Sequence, residues 1–183
     1  VEVANLGSVP LDLQEYELEA YFNANVTVGV GLTLPALVLE PGEAFAAAFS
    51  DGATFFQVYG ASPGVSGSTV KPNGDDTIVL ARLSDAAIVD ILGSIGTDGT
   101  GEAWEYTDAY CHRQLEQGPN PTLVMAEWSC AGPGALDQDV VGGGGPGVDP
   151  ELHVDLGRAW ARLGGEFAGI VRVSVPDTSV DGL

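Results

Sequence analysis

The chain has 183 residues, of which 45% are apolar, so it is long enough for one domain with a hydrophobic core and a short additional segment. It carries 26 acidic residues against 6 Lys and Arg, a formal net charge of −20, which disfavours binding to nucleic acid and to anionic membranes. The sequence contains no run of the roughly 18 apolar residues that a membrane-spanning helix needs.

Residues 1–130 show short runs of alternating apolar and polar residues, separated by turn residues. The predicted strands are 1–5, 11–13, 16–21, 27–34, 44–49, 77–82 and 87–92. Strands of this length and spacing are typical of sandwiches and barrels, so the sequence predicts an all-β fold. Because the pattern begins at the first residue, we expect the chain to begin inside a domain, with any export signal upstream.

The composition changes at about residue 131. Residues 131–149 are rich in Gly and Pro, which is typical of a linker. In residues 150–183, apolar residues at helical spacing predict a helix over 150–163, and alternation predicts a strand over 167–175. This appendage either docks on the sandwich or begins a second, truncated domain. We favour the second alternative and predict that residues 1–130 fold without it.

The chain has two cysteines, Cys111 and Cys130. Neither a CxxC nor an HxxxH pattern accompanies them, so their spacing does not indicate a zinc site. A disulfide is the natural prediction for an even pair outside the cytosol. The alternative, Cys111 as a nucleophile, would require a neighbouring base.

Two acidic loops could hold Ca²⁺, because adjacent carboxylates suit that ion. The first consists of Asn73, Gly74, Asp75 and Asp76, and the second covers residues 98–102. Gly adopts positive φ at little cost, and Asn and Asp bond to their own backbone, so the first loop is interpreted as a structural turn. The second lacks the EF-hand spacing and is interpreted as a plain loop. We assign no metal ligand and leave only Ca²⁺ open as a cofactor.

No catalytic residue is assigned. His112 could serve as a general base, but no nucleophile motif accompanies it, and His153 lies beyond the predicted linker. Trp104, Trp128 and Trp160 could stack on a sugar, yet their apolar or strand-like neighbours favour packing. We therefore predict that this chain is not itself an enzyme.

Several segments resemble, in order, landmarks of the lamin-tail domain family. They are residues 1–5 (VEVAN), 10–18 (PLDLQEYEL), 39–43 (LEPGE), 73–80 (NGDDTIVL) and 88–93 (IVDILG), followed by Trp104, His112 with Arg113, and Trp128. The resemblance implies an immunoglobulin-like sandwich over residues 1–130. Residues 54–70 match no segment of the family, and the basic surface expected of a chromatin-binding lamin tail is absent. The prokaryote-style members, usually joined to secreted nucleases, phosphatases or other hydrolases, are the nearer comparison.

From these observations we expect a non-catalytic binding or anchoring module of a larger secreted or cell-surface protein, attached to other domains. Its ligand would be a protein or a carbohydrate. One alternative is an accessory fragment of an extracellular nuclease or phosphatase whose catalytic domain lies outside this chain. The other is a calcium-dependent adhesive or structural β-domain, in which the acidic surface is functional.

Overall fold

The computed structural model describes residues 1–49, 62–67, 72–114, 117–135 and 171–175. Within these residues the elements are twelve strands and two 3₁₀ turns. The strands are β1 (Glu2–Asn5), β2 (Leu11–Asp12), β3 (Tyr16–Tyr21), β4 (Val30–Thr33), β5 (Val38–Leu39), β6 (Ala44–Phe49), β7 (Val65–Gly67), β8 (Thr77–Arg82), β9 (Ala87–Leu92), β10 (Cys111–Arg113), β11 (Trp128–Cys130) and β12 (Val171–Val175). The 3₁₀ turns are Leu13–Glu15 and Met125–Glu127. The all-β prediction is confirmed.

The strands form two larger sheets and one small one. One sheet has six strands in the order β11-β10-β12-β1-β6-β7, and the other has four in the order β4-β3-β8-β9. Strands β2 and β5 form the small sheet. The four-stranded sheet is antiparallel throughout, whereas β12 is parallel to both of its neighbours, β1 and β10.

The hydrophobic core draws on both larger sheets. On β3 the alternation seen in the sequence places Tyr16, Leu18 and Ala20 inside and leaves the residues between them half-buried. These side chains belong to the same cluster as Phe45 of β6 and Trp128 of β11. Because one cluster joins residues of the two sheets, the arrangement is compatible with a β-sandwich.

Strand β12 lies inside the six-stranded sheet. Its register places Arg172 opposite Glu2 of β1 and opposite His112 of β10. Without it, β1 and β10 would each present a row of unpaired backbone N–H and C=O groups, and a strand between them satisfies both rows. The described part of the appendage, β12, therefore pairs with strands of the 1–130 region. The predicted helix 150–163 lies outside the described residues.

The turn before β8 depends on Gly74. This residue has φ +107°, and a Cβ at its position would lie 2.3 Å from the Cα of Thr107. The Gly74 carbonyl accepts a hydrogen bond of 2.7 Å from the N–H of Tyr106. Both the positive φ and the close backbone approach require glycine here.

Candidate functional site

Cys111 and Cys130 form a disulfide between neighbouring strands. They are directly opposite each other on β10 and β11, and Cys111 is fully buried. The predicted pairing is confirmed. A sulfur in a disulfide is not a thiolate, so Cys111 has no role as a nucleophile in this form.

Arg113, two residues after Cys111, is held in a buried ion-pair network. Its Nε lies 3.0 Å from Oδ2 of Asp90, its Nη2 bonds the other oxygen of that carboxylate, and its Nη1 lies 2.7 Å from Oε2 of Glu127. The Arg113 and Asp90 side chains are only 2% and 0% exposed. The guanidinium carbon is 4.5 Å from the centroid of the Trp128 ring, a cation–π distance.

The two carboxylates of this network have further partners. Oδ1 of Asp90 also accepts hydrogen bonds from the backbone N–H groups of Ile91 (3.0 Å) and Asn120 (3.2 Å). The Asn120 side-chain amide donates to both oxygens of Glu127, at 3.1 and 3.2 Å. The network therefore connects β9, β10, the 3₁₀ turn before β11 and the loop that contains Asn120. The charged groups of Asp90, Arg113 and Glu127 therefore bond one another and have a structural role.

The residues of the predicted turn at 73–76 also form hydrogen bonds with other parts of the chain. Asp76 is buried, and its two carboxylate oxygens accept the backbone N–H groups of Asn23 (2.9 Å) and Asn73 (3.1 Å). Burial raises the pKa of Asp76 above its usual value, and the two hydrogen bonds oppose that rise. Oδ2 of Asp75 accepts the hydroxyl of Thr100 at 3.3 Å, which links this turn to the second acidic loop.

The second loop, 98–102, is likewise held by its own hydrogen bonds. Oδ1 of Asp98 accepts the backbone N–H of Thr100 at 2.9 Å, and this bond lowers the pKa of Asp98. In the part of the chain that the structure describes, no group of three or more His, Cys, Asp or Glu is placed to hold a metal ion. We assign no calcium site to either loop.

The remaining candidate residues are His112 and the tryptophans. His112 is half-buried on β10, with its ring stacked 6.4 Å from that of Tyr110. Trp104 and Trp128 are each 3% exposed and pack in the core, as the sequence favoured. His153 and Trp160 lie outside the described residues.

The described part of the chain contains no helix with the length and apolar character of a membrane span.

Four exposed apolar side chains lie on the two segments that the Asn5 side chain joins, residues 6–9 and 37–39, and we call them the Asn5 surface. Its members are Leu6, Val9, Leu37 and Val38, which are 49%, 39%, 44% and 49% exposed. The charged residues nearest to it in sequence, Glu2, Asp12, Glu40 and Glu43, are all acidic, and no Lys or Arg precedes Lys71. The acidic residues that neighbour this surface in sequence are called its acidic border.

The buried Asn5 side chain fixes the shape of this surface. Its Nδ2 donates hydrogen bonds of 2.9 Å to the carbonyl oxygens of Val9 and Leu39, and its Oδ1 accepts the N–H of Gly7 at 2.9 Å. The β2–β5 pairing, with Leu11 opposite Leu39, joins the same two segments again. Sequence reasoning identified Asn5 only as the end of the first strand and missed the surface. The sequence feature that could have indicated this surface is an apolar residue beside each of two turns, Leu6 and Leu37.

Comparison with known proteins gives no further guide to the site. The chain matches no family model, no curated protein and no solved structure.

Proposed function

We propose that this chain is a non-catalytic binding or anchoring module, an immunoglobulin-like sandwich of the lamin-tail type, within a larger secreted or cell-surface protein. The observation that carries the proposal is the Asn5 surface. Its four large aliphatic side chains are 39–49% exposed although the backbone beneath them is fixed by hydrogen bonds. Burying such side chains in an interface contributes about 25 cal/mol per Å², and a rigid surface loses little entropy on binding.

The chemistry of the surface favours a protein ligand over a carbohydrate. The exposed side chains are aliphatic, whereas sugars are commonly held by aromatic stacking, and Trp104 and Trp128 are buried. The acidic border favours a partner with Lys or Arg around an apolar centre. The Cys111–Cys130 disulfide supports a location outside the cytosol, where disulfides persist.

The test is retention of a reporter enzyme, fused to the whole chain, on intact cells of the organism that makes the protein. We expect Val38→Asp to lower the retained activity about tenfold or more, because a charge in an apolar interface costs more than the 1.4 kcal/mol that corresponds to tenfold. Val26→Asp is the matched control. Val26 is 73% exposed but lies in the β3–β4 loop, and its replacement is expected to leave retention unchanged.

Thermal melts of both variants establish that the fold is retained. Loss of retention in Val38→Asp with a normal melt supports the proposal. Equal retention of the wild type and Val38→Asp would contradict the assignment of the Asn5 surface. No retention of the wild type would contradict the anchoring function itself.

A further inference from the structure

Strand β4 forms an edge of the four-stranded sheet. Among the described residues it pairs with β3 alone, in a register that places Leu32 opposite Leu18 and Gly31 opposite Glu19. Its four residues, Val30–Thr33, include no charged residue and no proline. Edge strands commonly carry such residues because they prevent pairing with another chain. The edge of β4 lacks this protection.

The backbone of β4 presents hydrogen-bonding groups to the outside. The N–H of Leu34 donates to the carbonyl of Tyr16 at 3.0 Å, which fixes the phase of the ladder. Since bonded and non-bonded pairs alternate along an antiparallel ladder, Leu32 bonds to β3 while Gly31 and Thr33 direct their N–H and C=O groups away from it. Both Gly31 and Thr33 are exposed. These groups are in position to pair with an additional strand.

Side chains on the two faces of this edge differ in chemistry. Val30 and Leu32 are half-buried and pack against the core, so one face of the edge is apolar. On the other face, Glu17 and Glu19 project from β3. Oε2 of Glu17 lies 3.3 Å from the position that a Cβ of Gly31 would occupy, so this carboxylate extends over β4 toward the edge.

The carboxylates of Glu17 and Glu19 also repel each other electrostatically. Burial raises the pKa of Glu17, and the neighbouring Glu19 raises it further. Glu19 itself accepts the hydroxyl of Tyr21 at 2.8 Å. A cation beside Gly31 would reduce the repulsion between the two carboxylates, because opposite charges within about 4–6 Å stabilise the ionised form.

We propose that the free edge of β4 binds an extended segment of a partner protein as an added antiparallel strand, with Lys or Arg opposite Gly31 and apolar residues opposite Val30 and Leu32. Residues directly opposite in an antiparallel pair share a face, so this alternation places the cation beside Glu17 and the apolar side chains beside the core. This edge shares no residue with the Asn5 surface, so the failure of one proposal does not decide the other.

A second copy of this chain is a poor occupant of the same edge. Pairing of two β4 strands would bring the Glu17 carboxylate of each copy, which extends over Gly31, toward that of the other copy, and like charges repel. The absence of any Lys or Arg before residue 71 means that residues 1–70 supply no compensating cation. The charge pattern therefore favours a basic segment from another protein.

The experiment is titration of the full chain with a seven-residue peptide of alternating Val and Lys, followed by calorimetry and by amide hydrogen exchange. We expect binding that protects the amides of Gly31 and Thr33. Glu17→Gln combined with Glu19→Gln is expected to weaken binding about fivefold, since two exposed ion pairs are lost. Glu102→Gln, an exposed acid in the loop after β9, is the matched control and is expected to bind as the wild type does.

Two control peptides separate backbone pairing from simple charge attraction. The same peptide with alternate backbone amides methylated is expected not to bind, and one with Glu in place of Lys is expected to bind at least fivefold more weakly. The proposal is overturned if the methylated peptide binds equally well, if protection appears away from β4, or if no peptide binds at millimolar concentration. A concentration-dependent dimer of the free chain that protects Gly31 and Thr33 would overturn the choice of partner.

Discussion

Replacement of Arg113 by methionine is expected to lower the free energy of unfolding by about 3–5 kcal/mol, the usual cost of removing one partner of a buried ion pair. Arg113 is 2% exposed and bonds Asp90, which is 0% exposed. Methionine fills a similar volume against Trp128 but donates no hydrogen bond. The carboxylate of Asp90 would then stay buried without the guanidinium that balances its charge.

Chemical denaturation of matched variants measures this effect. Arg82→Met is the control, because Arg82 also bonds an aspartate, Asp85, but the two side chains are 43% and 51% exposed. Solvent compensates for the loss of an exposed pair, so we expect little change there. Adding Asp90→Leu to Arg113→Met should recover part of the lost stability, because the unpaired buried charge is removed as well. Equal losses of unfolding free energy in Arg113→Met and Arg82→Met would contradict the structural role of the buried network.

A chain that ends at residue 135 is expected to melt on the order of 10 °C or more below the full chain, or not to fold cooperatively. It lacks β12, so the N–H and C=O groups of β1 and β10 that face this strand would lose their partners. Each buried backbone group left unpaired costs about 1–3 kcal/mol, and the two ladders contain several. This result would contradict the expectation that residues 1–130 fold without the tail.

Hydrogen exchange locates the effect of the truncation. Amides of Glu2–Asn5 and Cys111–Arg113 should exchange faster in the shortened chain, whereas those of Thr77–Arg82 in the other sheet should change least. If the shortened chain melts as the full chain does, the boundary at residue 131 separates an independent domain, and β12 contributes nothing to its stability.

The parts of the fold that the sequence predicts are those with a local signal. Strand β3 was predicted because its polar and apolar residues alternate, and β8 because a run of apolar residues follows the turn at Gly74. The strands β10 and β11 have three residues each, too few for a period to be visible. The alternation over 167–175 indicated a strand but carried no information on its partners, which is why its place between β1 and β10 was missed.

For side chains, too, the sequence shows local features but not their distant partners, and the ion-pair network of Arg113 is an example. Asp90 is a lone charge in the apolar run Ile88 to Leu92, and such a residue requires a partner when the strand is buried. The sequence does not identify that partner, since Arg113 is 23 residues away and reaches it only through the packing of two sheets. Asn5 is comparable, because its bond to the carbonyl of Leu39 spans 34 residues.

Turnover by the purified full chain tests most directly whether it is a binding module rather than an enzyme. Suitable substrates are single- and double-stranded DNA, RNA, and nitrophenyl esters of phosphate, the classes cleaved by nucleases and phosphatases. We predict rates equal to the buffer blank and to the His112→Ala variant, because Asp90, Arg113 and Glu127 bond one another and Cys111 is held in a disulfide. Turnover that follows the chain through successive chromatographic steps and disappears in His112→Ala would contradict the proposed function.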